Sequence, residues 1–259
     1  MLLAVDVGNT QTVIGLYGRG EQRHELLDHW RIATNADRTS DEHALLFQQF
    51  LSTAGHDWRR DVAGVAISSG VPSVTFELRR MCERYLSIEP VVLGAGVKTG
   101  MPVLYDNPKE VGADRIANAV GAFDLFGGPS IVVDFGTATT FDVISVAGEY
   151  LGGAIIPGIE ISLDALFGRA AALRRVELIE PRSVIGKTTV ESIQSGTIYG
   201  YSAMVDGMCD RIEEILGPCT VIATGGLSEL IAPVAESIEH IEPWLTLHGL
   251  RLIWEKNTT

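Results

Sequence analysis

The sequence contains few cysteines: there are three, Cys82, Cys209 and Cys219, and none belongs to a Cys-x-x-Cys pair. An odd, widely spaced set gives no disulfide framework, so we expect free thiols and a reducing, cytoplasmic location. None of the six histidines has metal-ligand spacing with cysteines or carboxylates. Solvated or helix-capping roles are therefore expected for the histidines.

Positive charge is also scarce, because 20 Lys and Arg residues stand against 33 Asp and Glu residues, for a formal net charge of −13. This balance argues against nucleic acid and anionic membranes as partners. No run of about 18 apolar residues occurs, and no basic segment precedes an apolar core at the amino terminus. Neither a membrane span nor a signal peptide is expected.

The phosphate-binding loops of two common nucleotide-binding classes are missing. Gly186-Lys187-Thr188 looks like the end of a G-x-x-x-x-G-K-[ST] loop, but Pro181 stands where its first glycine is required. The Gly-rich loop of protein kinases, with its His-Arg-Asp partner, does not occur either. Both classes are therefore excluded.

A strand that ends in Asp-x-Gly occurs twice, 128 residues apart. Asp6 precedes Gly8 and Asp134 precedes Gly136, each after an apolar run. Such a glycine lets the backbone turn tightly and approach a ligand, and the small polar side chains that follow can bind phosphate. An ordinary turn stabilised by its Asp side chain is the alternative for each copy alone. The repetition predicts a duplicated domain that holds phosphate between its halves.

A third signal comes late in the chain, where the apolar residues Val221-Ile222-Ala223 lead into Thr224-Gly225-Gly226. This turn would let an adenine or ribose lie against bare backbone. The order of the three signals resembles that of the superfamily of acetate kinase, hexokinase, Hsp70 and actin. The resemblance implies an α/β fold of two ribonuclease H-like domains with an interdomain cleft.

Periodicity and turn residues predict the secondary structure. Strands are expected near 2–7, 12–17, 25–33, 62–68, 90–93, 130–135, 139–146, 149–155 and 220–223. Helices are expected after a cap at Ser40 and near 73–86, 109–126 and 227–237, with a last helix over the 244–254 stretch packed back on a domain. Because Gly127-Gly128-Pro129 ends the third of these helices, the domains are placed at 1–127 and 128–259.

Several ordered motifs, over nearly the whole chain, resemble those of the type III pantothenate kinase family. They are Asp6-Val7-Gly8-Asn9-Thr10, Asn107-Pro108, Gly112-Ala113-Asp114-Arg115, Asp134-Phe135-Gly136-Thr137-Ala138, Gly152–Gly158 and Thr224-Gly225-Gly226. The resemblance implies a phosphotransferase with an alcohol acceptor, which phosphorylates pantothenate with ATP in the first step of coenzyme A synthesis. It also implies a homodimer and a monovalent cation, K⁺ or NH₄⁺. One departure is Thr188, where the family usually has Asn.

Phosphoryl transfer needs a metal-neutralised γ-phosphate, an in-line hydroxyl and a group that receives the hydroxyl proton. Asp114, just past a glycine near a helix start, is the candidate base, with a helix-start salt bridge as the alternative. Arg115 offers a planar donor fork for the carboxylate of pantothenate. Asp6 is expected to hold Mg²⁺ through water, because this ion keeps much of its hydration shell.

The family resemblance implies the remaining site residues. ATP is expected at Asp6, Val7, Gly8, Asn9, Thr10, Gln11, Thr12, Val13 and Thr137, and pantothenate at Tyr105, Gly112, Ala113, Asp114, Arg115 and Thr189. Thr189 would reach the substrate from the partner subunit, and Tyr105 has a core aromatic role as its alternative. Asp134 is expected to bind the monovalent cation, with a water-mediated Mg²⁺ contact as its alternative.

Two other functions stay open at this point. One is a nucleotide-binding regulatory module without catalytic activity, and the other is a phosphohydrolase of the same superfamily. Asp6, Asp114, Arg115 and Asp134 together favour the kinase, because Asp114-Arg115 beside the Asn107-Pro108 loop suits the binding of an acceptor.

Overall fold

A computed structural model describes residues 1–170 and 173–258. The chain forms two compact units: unit 1 contains Met1–Met101, Asp106–Gly121 and the residues from Thr246 onward, and unit 2 contains Pro102–Tyr105 and Ala122–Leu245. Each unit is therefore made of more than one stretch of chain. The domain limits 1–127 and 128–259 stay a prediction, and Ala171, Ala172 and Thr259 of the second predicted domain lie outside the described residues.

The elements are numbered along the chain. The strands are β1 (Leu2–Val7), β2 (Gln11–Tyr17), β3 (Leu26–Ala33), β4 (Gly64–Ser69), β5 (Val91–Val92), β6 (Ser130–Phe135), β7 (Ala138–Ile144), β8 (Tyr150–Pro157), β9 (Thr220–Thr224) and β10 (His240–Ile241). The helices are α1 (Ser40–Thr53), α2 (Trp58–Asp61), α3 (Pro72–Met81), α4 (Ala113–Phe126), α5 (Ile159–Arg169), α6 (Thr189–Leu216), α7 (Ser228–Ile231) and α8 (Leu245–Thr258).

The two sheets share one topology. The strand order is β3-β2-β1-β4-β5 in unit 1 and, in the corresponding direction, β8-β7-β6-β9-β10 in unit 2. In each sheet the first three strands are antiparallel neighbours, and the last two run parallel to the central strand. Thus β1 corresponds to β6 and β4 to β9. The duplication and the mixed α/β fold that the sequence predicts are confirmed.

One face of the unit 1 sheet carries large aliphatic side chains, because residues alternate between faces along a strand. Leu3, Val5 and Val7 of β1 point to this face and are buried. They form a core with Phe47 and Leu78, which come from α1 and α3. Unit 2 repeats the pattern with a core of its own, to which β6, β9, α5 and α6 contribute. Each sheet therefore buries its apolar face against helices of its own unit.

The opposite face of the unit 1 sheet carries small residues and is covered by α8. A Cβ added to Gly15 would lie 2.7 Å from Leu247 Cδ1, and one added to Gly64 would lie 2.7 Å from Trp254 Nε1. Helix α4 then packs on α8, where Gly249 leaves no room for a Cβ against the Ala117 carbonyl. The predicted last helix is confirmed, and its close approach to the sheet depends on these glycines.

The same face carries Asp6. In the β1–β4 register Leu2 pairs with Gly64, and in the β1–β2 register Ala4 pairs with Gly15. Paired residues share a face and alternate residues of a strand do too, so Asp6 lies on the face that α8 covers. Thr246 Oγ1 donates a hydrogen bond to Asn118 Oδ1 at 2.7 Å, which ties α4 to the start of α8.

Three predicted helix boundaries are wrong. Helix α1 is capped by Thr39, whose side chain accepts from Glu42 N, and Ser40 is its first residue. Helix α4 begins at Ala113 because a 3₁₀ turn at Pro108–Glu110 and an extended Val111 precede it. The helix predicted near 227–237 is only α7, since Pro233 lacks the N–H that a further turn requires.

The three cysteines are free and buried. Burial raises the pKa of Cys82 in unit 1 to about 12 and that of Cys209 in unit 2 to about 11. The thiolate forms of both are therefore strongly disfavoured in the native protein. Within residues 1–170 and 173–258, no helix combines the length and hydropathy that crossing a bilayer requires.

Candidate active site

The loop after β1 is held closed by a residue of the segment that follows β3. Gly8 N donates to Gln11 O at 3.0 Å, which closes the turn between β1 and β2. Thr34 Oγ1 donates to Gly8 O at 2.7 Å, and Thr34 N donates to Thr10 O at 2.9 Å. The side chains of Asn9 and of the next two residues are exposed. This loop can offer polar groups to a phosphate, and nothing in the local sequence pointed to Thr34.

Not every residue of the predicted ATP segment offers its side chain. Val7 and Thr12 are each 1% exposed, and Thr12 Oγ1 lies 2.9 Å from Thr34 Oγ1. Both side chains therefore belong to the interior, where they shape the loop. Val13 pairs with Asp6 across the antiparallel register and lies on its face of the sheet.

A residue of β4 lies directly beside Asp6. The parallel register pairs Asp6 with Ser68, and Gly70 N donates to Val7 O at 3.1 Å just beyond. The carboxyl ends of β1 and β4 thus meet at one edge of the sheet. Ser68 is 1% exposed, and its Oγ has no hydrogen-bond partner among the described residues. Ser68 is not among the site residues predicted from the sequence.

Unit 2 repeats this arrangement around Asp134. The register of β6 and β9 pairs Asp134 with Thr224, which is 1% exposed. Gly225 follows with φ +90°, and a Cβ at this position would collide with Asp134 Oδ1 and approach Phe135 N to 2.7 Å. The late Thr-Gly-Gly motif therefore belongs to the Asp134 site, because the bare Gly225 backbone lets the carboxylate lie against it.

The Gly152–Gly158 motif supports the same loop. Gly158 N donates to Thr137 O at 3.1 Å, and Gly136 N donates to Ala138 O at 3.1 Å. A Cβ on Gly158 would strike the backbone of Gly136 and Thr137. Thr137, predicted to contact ATP, is exposed on this loop.

The candidate base lies in the first turn of α4. Asp114 is exposed, and its Oδ1 accepts a hydrogen bond from Arg115 N at 2.8 Å. A Cβ on Gly112 would meet Asp114 Oδ1, so a side chain at this position would displace the Asp114 carboxylate. Over the described parts of the chain, no Lys, Arg or His nitrogen forms a salt bridge with Asp114. The salt-bridge alternative therefore has no support, and the carboxylate stays accessible.

Arg115, the predicted ligand of the pantothenate carboxylate, lies mostly inside the protein. Its side chain is largely buried, with 8% of the residue exposed. A bidentate contact with a substrate carboxylate needs an exposed edge of the guanidinium group. The role of Arg115 as a pantothenate ligand stays a prediction.

Tyr105 lies in unit 2 and is 37% exposed. Its ring centroid is 6.5 Å from that of Tyr150, and a Cβ on Gly152 would lie 3.3 Å from the ring. Tyr150 itself is fully buried and donates its hydroxyl hydrogen to Asp142 Oδ1 at 2.8 Å. Tyr105 is thus an aromatic side chain that packs on Gly152 while part of it remains open to a ligand.

The segment with the unusual threonine begins α6. Thr188 is the N-cap, and its Oγ1 accepts from Glu191 N at 3.1 Å. Hydrogen bonds from Arg182 and from Lys187 N hold the pKa of Glu191 below its ordinary value. Threonine can cap a helix as asparagine does, so the departure keeps the capping function.

Thr189, the first residue of α6, lies on an open groove of about 410 Å³ between α5 and α6. The groove is mostly apolar, and it was not predicted from the sequence. Its lining includes Leu163, Leu166, Leu173, Thr189, Ile193 and Tyr201.

The predicted site residues fall into two groups. Asp6 and the Gly112–Arg115 turn belong to unit 1, whereas Asp134, Thr137, Tyr105 and Thr189 belong to unit 2. Within unit 1, α8 covers the sheet face on which Asp6 lies. Helix α4, whose first turn contains Asp114, packs on α8. In unit 2, the Asp134 loop, Gly158 and Gly225 form one continuous backbone cradle.

The protein groups near Asp6 suit a cation that takes most of its ligands from a bound phosphate and from water. No group of three or more His, Cys, Asp or Glu side chains that could hold a metal occurs in the described ranges. Mg²⁺ commonly binds proteins through one or two carboxylates and keeps water and phosphate as its other ligands. The half-buried Asp6, the bare backbone of Gly8 and the Ser68 hydroxyl, which has no partner in the described part of the chain, fit such a site.

Sequence comparison identifies the family. The sequence model of the type III pantothenate kinase family matches residues 2–211. The type III pantothenate kinase of Myxococcus xanthus is 52% identical over 258 residues, with 99% of each chain covered. That of Moorella thermoacetica is 51% identical over 259 residues, with 100% of each chain covered.

Solved structures with low sequence identity share the fold. A Baf family transcriptional activator from Campylobacter jejuni aligns with a TM-score of 0.60 at 17% identity, over 98% of each chain. A 2-dehydro-3-deoxygalactonokinase from Sinorhizobium meliloti aligns with a TM-score of 0.59 at 12% identity, over 99% of this chain and 96% of that one. The fold follows from these structures, and the family follows from the sequence relatives: the chain belongs to the type III pantothenate kinases.

Proposed function

We propose that this chain transfers the γ-phosphoryl group of ATP to the hydroxyl of pantothenate, with Asp114 as the proton acceptor. The observation that carries the reaction is family membership, at 51 to 52% identity over essentially the full length of two relatives. The product is 4′-phosphopantothenate, so the enzyme catalyses the first step of coenzyme A synthesis. Because the reaction consumes ATP, we place it in the cytoplasm.

The chemistry assigned to Asp114 follows from its position. A bond forms between the pantothenate hydroxyl oxygen and the γ-phosphorus, the bond to the β–γ bridging oxygen breaks, and ADP leaves. The hydroxyl proton goes to the Asp114 carboxylate. A base must lie within hydrogen-bond reach of the acceptor hydroxyl, and an exposed carboxylate in the first turn of α4 meets the requirement for access.

The phosphate chain of ATP is assigned to the two Asp-x-Gly loops. Asn9, Thr10 and Gln11 are exposed and supply polar side chains, while Gly8 supplies bare backbone. Asp6 would hold hydrated Mg²⁺, which supplies charge neutralisation of the γ-phosphate when bound. Thr137 would contact ATP, and Asp134 would bind K⁺ or NH₄⁺ against the cradle formed with Gly225.

Pantothenate is assigned to Tyr105, the Gly112–Arg115 turn and Thr189. Tyr105 has part of its ring exposed, which suits packing along the dimethyl portion of the substrate. Thr189 would act from a second copy of the chain in a homodimer. Exposed apolar residues flank it in sequence: Ile185 is 75% exposed and Val190 is 48% exposed. Apolar surface of this kind supports a contact between two copies.

The test is release of ADP with ATP, Mg²⁺ and K⁺, measured with and without pantothenate. We expect release only when pantothenate is present. Release that is independent of pantothenate would identify a phosphohydrolase, and no release in either case would favour a regulatory nucleotide-binding module. Omitting K⁺ and NH₄⁺ should lower the rate if Asp134 holds a monovalent cation.

The role of Asp114 is tested by Asp114→Asn, which keeps the shape of the side chain but removes its basicity. We expect turnover to fall below detection, with an unchanged circular dichroism spectrum and unfolding transition. Asp124→Asn, at the other end of the same helix, is the matched control and should keep normal turnover. Near-normal turnover of Asp114→Asn would mean that another group accepts the proton.

A further inference from the structure

Ser68 combines three properties that ordinary core packing does not explain. It is paired in parallel register with Asp6, it is 1% exposed, and its Oγ lacks a hydrogen-bond partner within the described residues. A buried hydroxyl without a partner loses its hydrogen bonds to water and gains none in return. An alanine at this position would avoid that cost, so the hydroxyl needs another explanation.

The geometry of the sheet directs this hydroxyl towards Asp6. Neighbouring strands lie about 4.8 Å apart, and residues paired in register project from the same face. A serine side chain has three staggered rotamers, so its Oγ can turn towards or away from the neighbouring strand. The Asp6 carboxylate on the adjacent strand is therefore within reach of Ser68 Oγ after a change of rotamer.

Unit 2 supports this interpretation, because its equivalent strand has a hydroxyl residue at the same position. Thr224 on β9 pairs with Asp134 as Ser68 on β4 pairs with Asp6. Ser130 makes a useful contrast, since its Oγ is also buried without a partner in the described ranges, but it lies at the opposite end of β6. A hydroxyl beside the aspartate thus recurs in both halves.

We propose that Ser68 is a positioning residue for Asp6: when nucleotide and cation bind, Ser68 Oγ donates a hydrogen bond to the Asp6 carboxylate and fixes its orientation. The proposal rests on the role of Asp6 in the proposed function. Hydrogen bonds to charged groups are stronger than those between neutral groups, which makes the carboxylate the favoured acceptor. Because the hydroxyl has no partner among residues 1–170 and 173–258 without ligand, the bond contributes only to the bound state.

The first experiment measures binding of a non-hydrolysable ATP analogue by calorimetry, with and without Mg²⁺. We expect Ser68→Ala to weaken binding in Mg²⁺ about tenfold, which is the effect of one hydrogen bond to a charged group. Its unfolding midpoint without ligand should not fall. Ser130→Ala removes another buried, unpartnered serine hydroxyl and should leave the affinity unchanged. Ser68→Thr, which copies the residue of unit 2, should restore tight binding.

A double-mutant cycle with Asp6→Asn separates the two proposals. If Ser68 acts through Asp6, then Ser68→Ala should cause a clearly smaller loss of affinity in the Asp6→Asn background, where the acceptor is a neutral amide oxygen. Asp6→Asn with normal affinity in Mg²⁺ would overturn the role of Asp6, and the Ser68 proposal with it. Weak binding by Asp6→Asn together with normal binding by Ser68→Ala would overturn the Ser68 proposal alone. Ser68→Cys, with a similar volume and a weaker donor, replaces Ser68→Ala if alanine prevents folding.

Discussion

Replacing Gly225 by alanine should damage unit 2 through two separate effects. Gly225 has φ +90°, a region that L-residues avoid at a cost of about 1 to 2 kcal/mol. The added Cβ would also lie 2.7 Å from Phe135 N, so the backbone of β6 must move. Such overpacking costs roughly a further 1 to 3 kcal/mol. We therefore expect the free energy of unfolding to fall by about 2 to 5 kcal/mol.

Urea denaturation measures this loss, with two glycine controls. Gly55 has φ +82° but no atom within 4 Å of an added Cβ, so Gly55→Ala should show the backbone cost alone. Gly200 lies inside α6 in open space, where Gly→Ala should stabilise by about 0.5 to 1 kcal/mol. Because the Cβ would displace Asp134, Gly225→Ala should also weaken activation by K⁺. Equal losses for Gly225→Ala and Gly55→Ala would refute the close approach of Asp134 and Phe135 to Gly225.

Two further predictions concern stability. Burial, with the nearby positive charge of Arg38, lowers the pKa of His43 to about 4 from 6.5. The unfolded chain therefore binds the proton first, and the free energy of unfolding should fall by about 2 kcal/mol between pH 7 and pH 5; His43→Leu should lose this pH dependence in urea titrations, and an unchanged slope would mean that His43 is not the titrating group. Thr188→Ala should remove the α6 cap that binds Glu191 N and cost about 1 kcal/mol, while Thr188→Asn should be nearly neutral. Equal thermal stability of the two Thr188 variants would contradict the capping role.

The sequence predicted those parts of the fold that depend on local pattern. Runs of aliphatic residues indicated β1 and β6, and the Asp-x-Gly turns marked where these strands end. The boundary of α4 was missed because a 3₁₀ turn at Pro108–Glu110 and the extended Val111 precede the helix, and the apolar spacing does not mark this break. The length of α7 was missed because the apolar pattern continues past Pro233, although this residue has no N–H for a regular helical turn.

The rest depended on contacts between residues far apart in sequence. Ser68 lies beside Asp6 only because β4 pairs with β1 in one register, which no local pattern specifies. A signal for it did exist, since Ser68-Ser69-Gly70 and Thr224-Gly225-Gly226 both place a hydroxyl residue two positions before glycine. The packing of α8 against Gly15 likewise became visible only once the sheet face was known.

The reactivity of the three buried thiols can report local opening of the structure. Cys82 belongs to unit 1, whereas Cys209 and Cys219 belong to unit 2. A thiol whose pKa is raised by burial reacts with an alkylating reagent only when the structure around it opens. The rate at which each cysteine is alkylated would therefore measure how often the structure around it opens in each unit, without any engineered label. Repeating the measurement with saturating ATP or pantothenate would show in which unit each ligand reduces this opening.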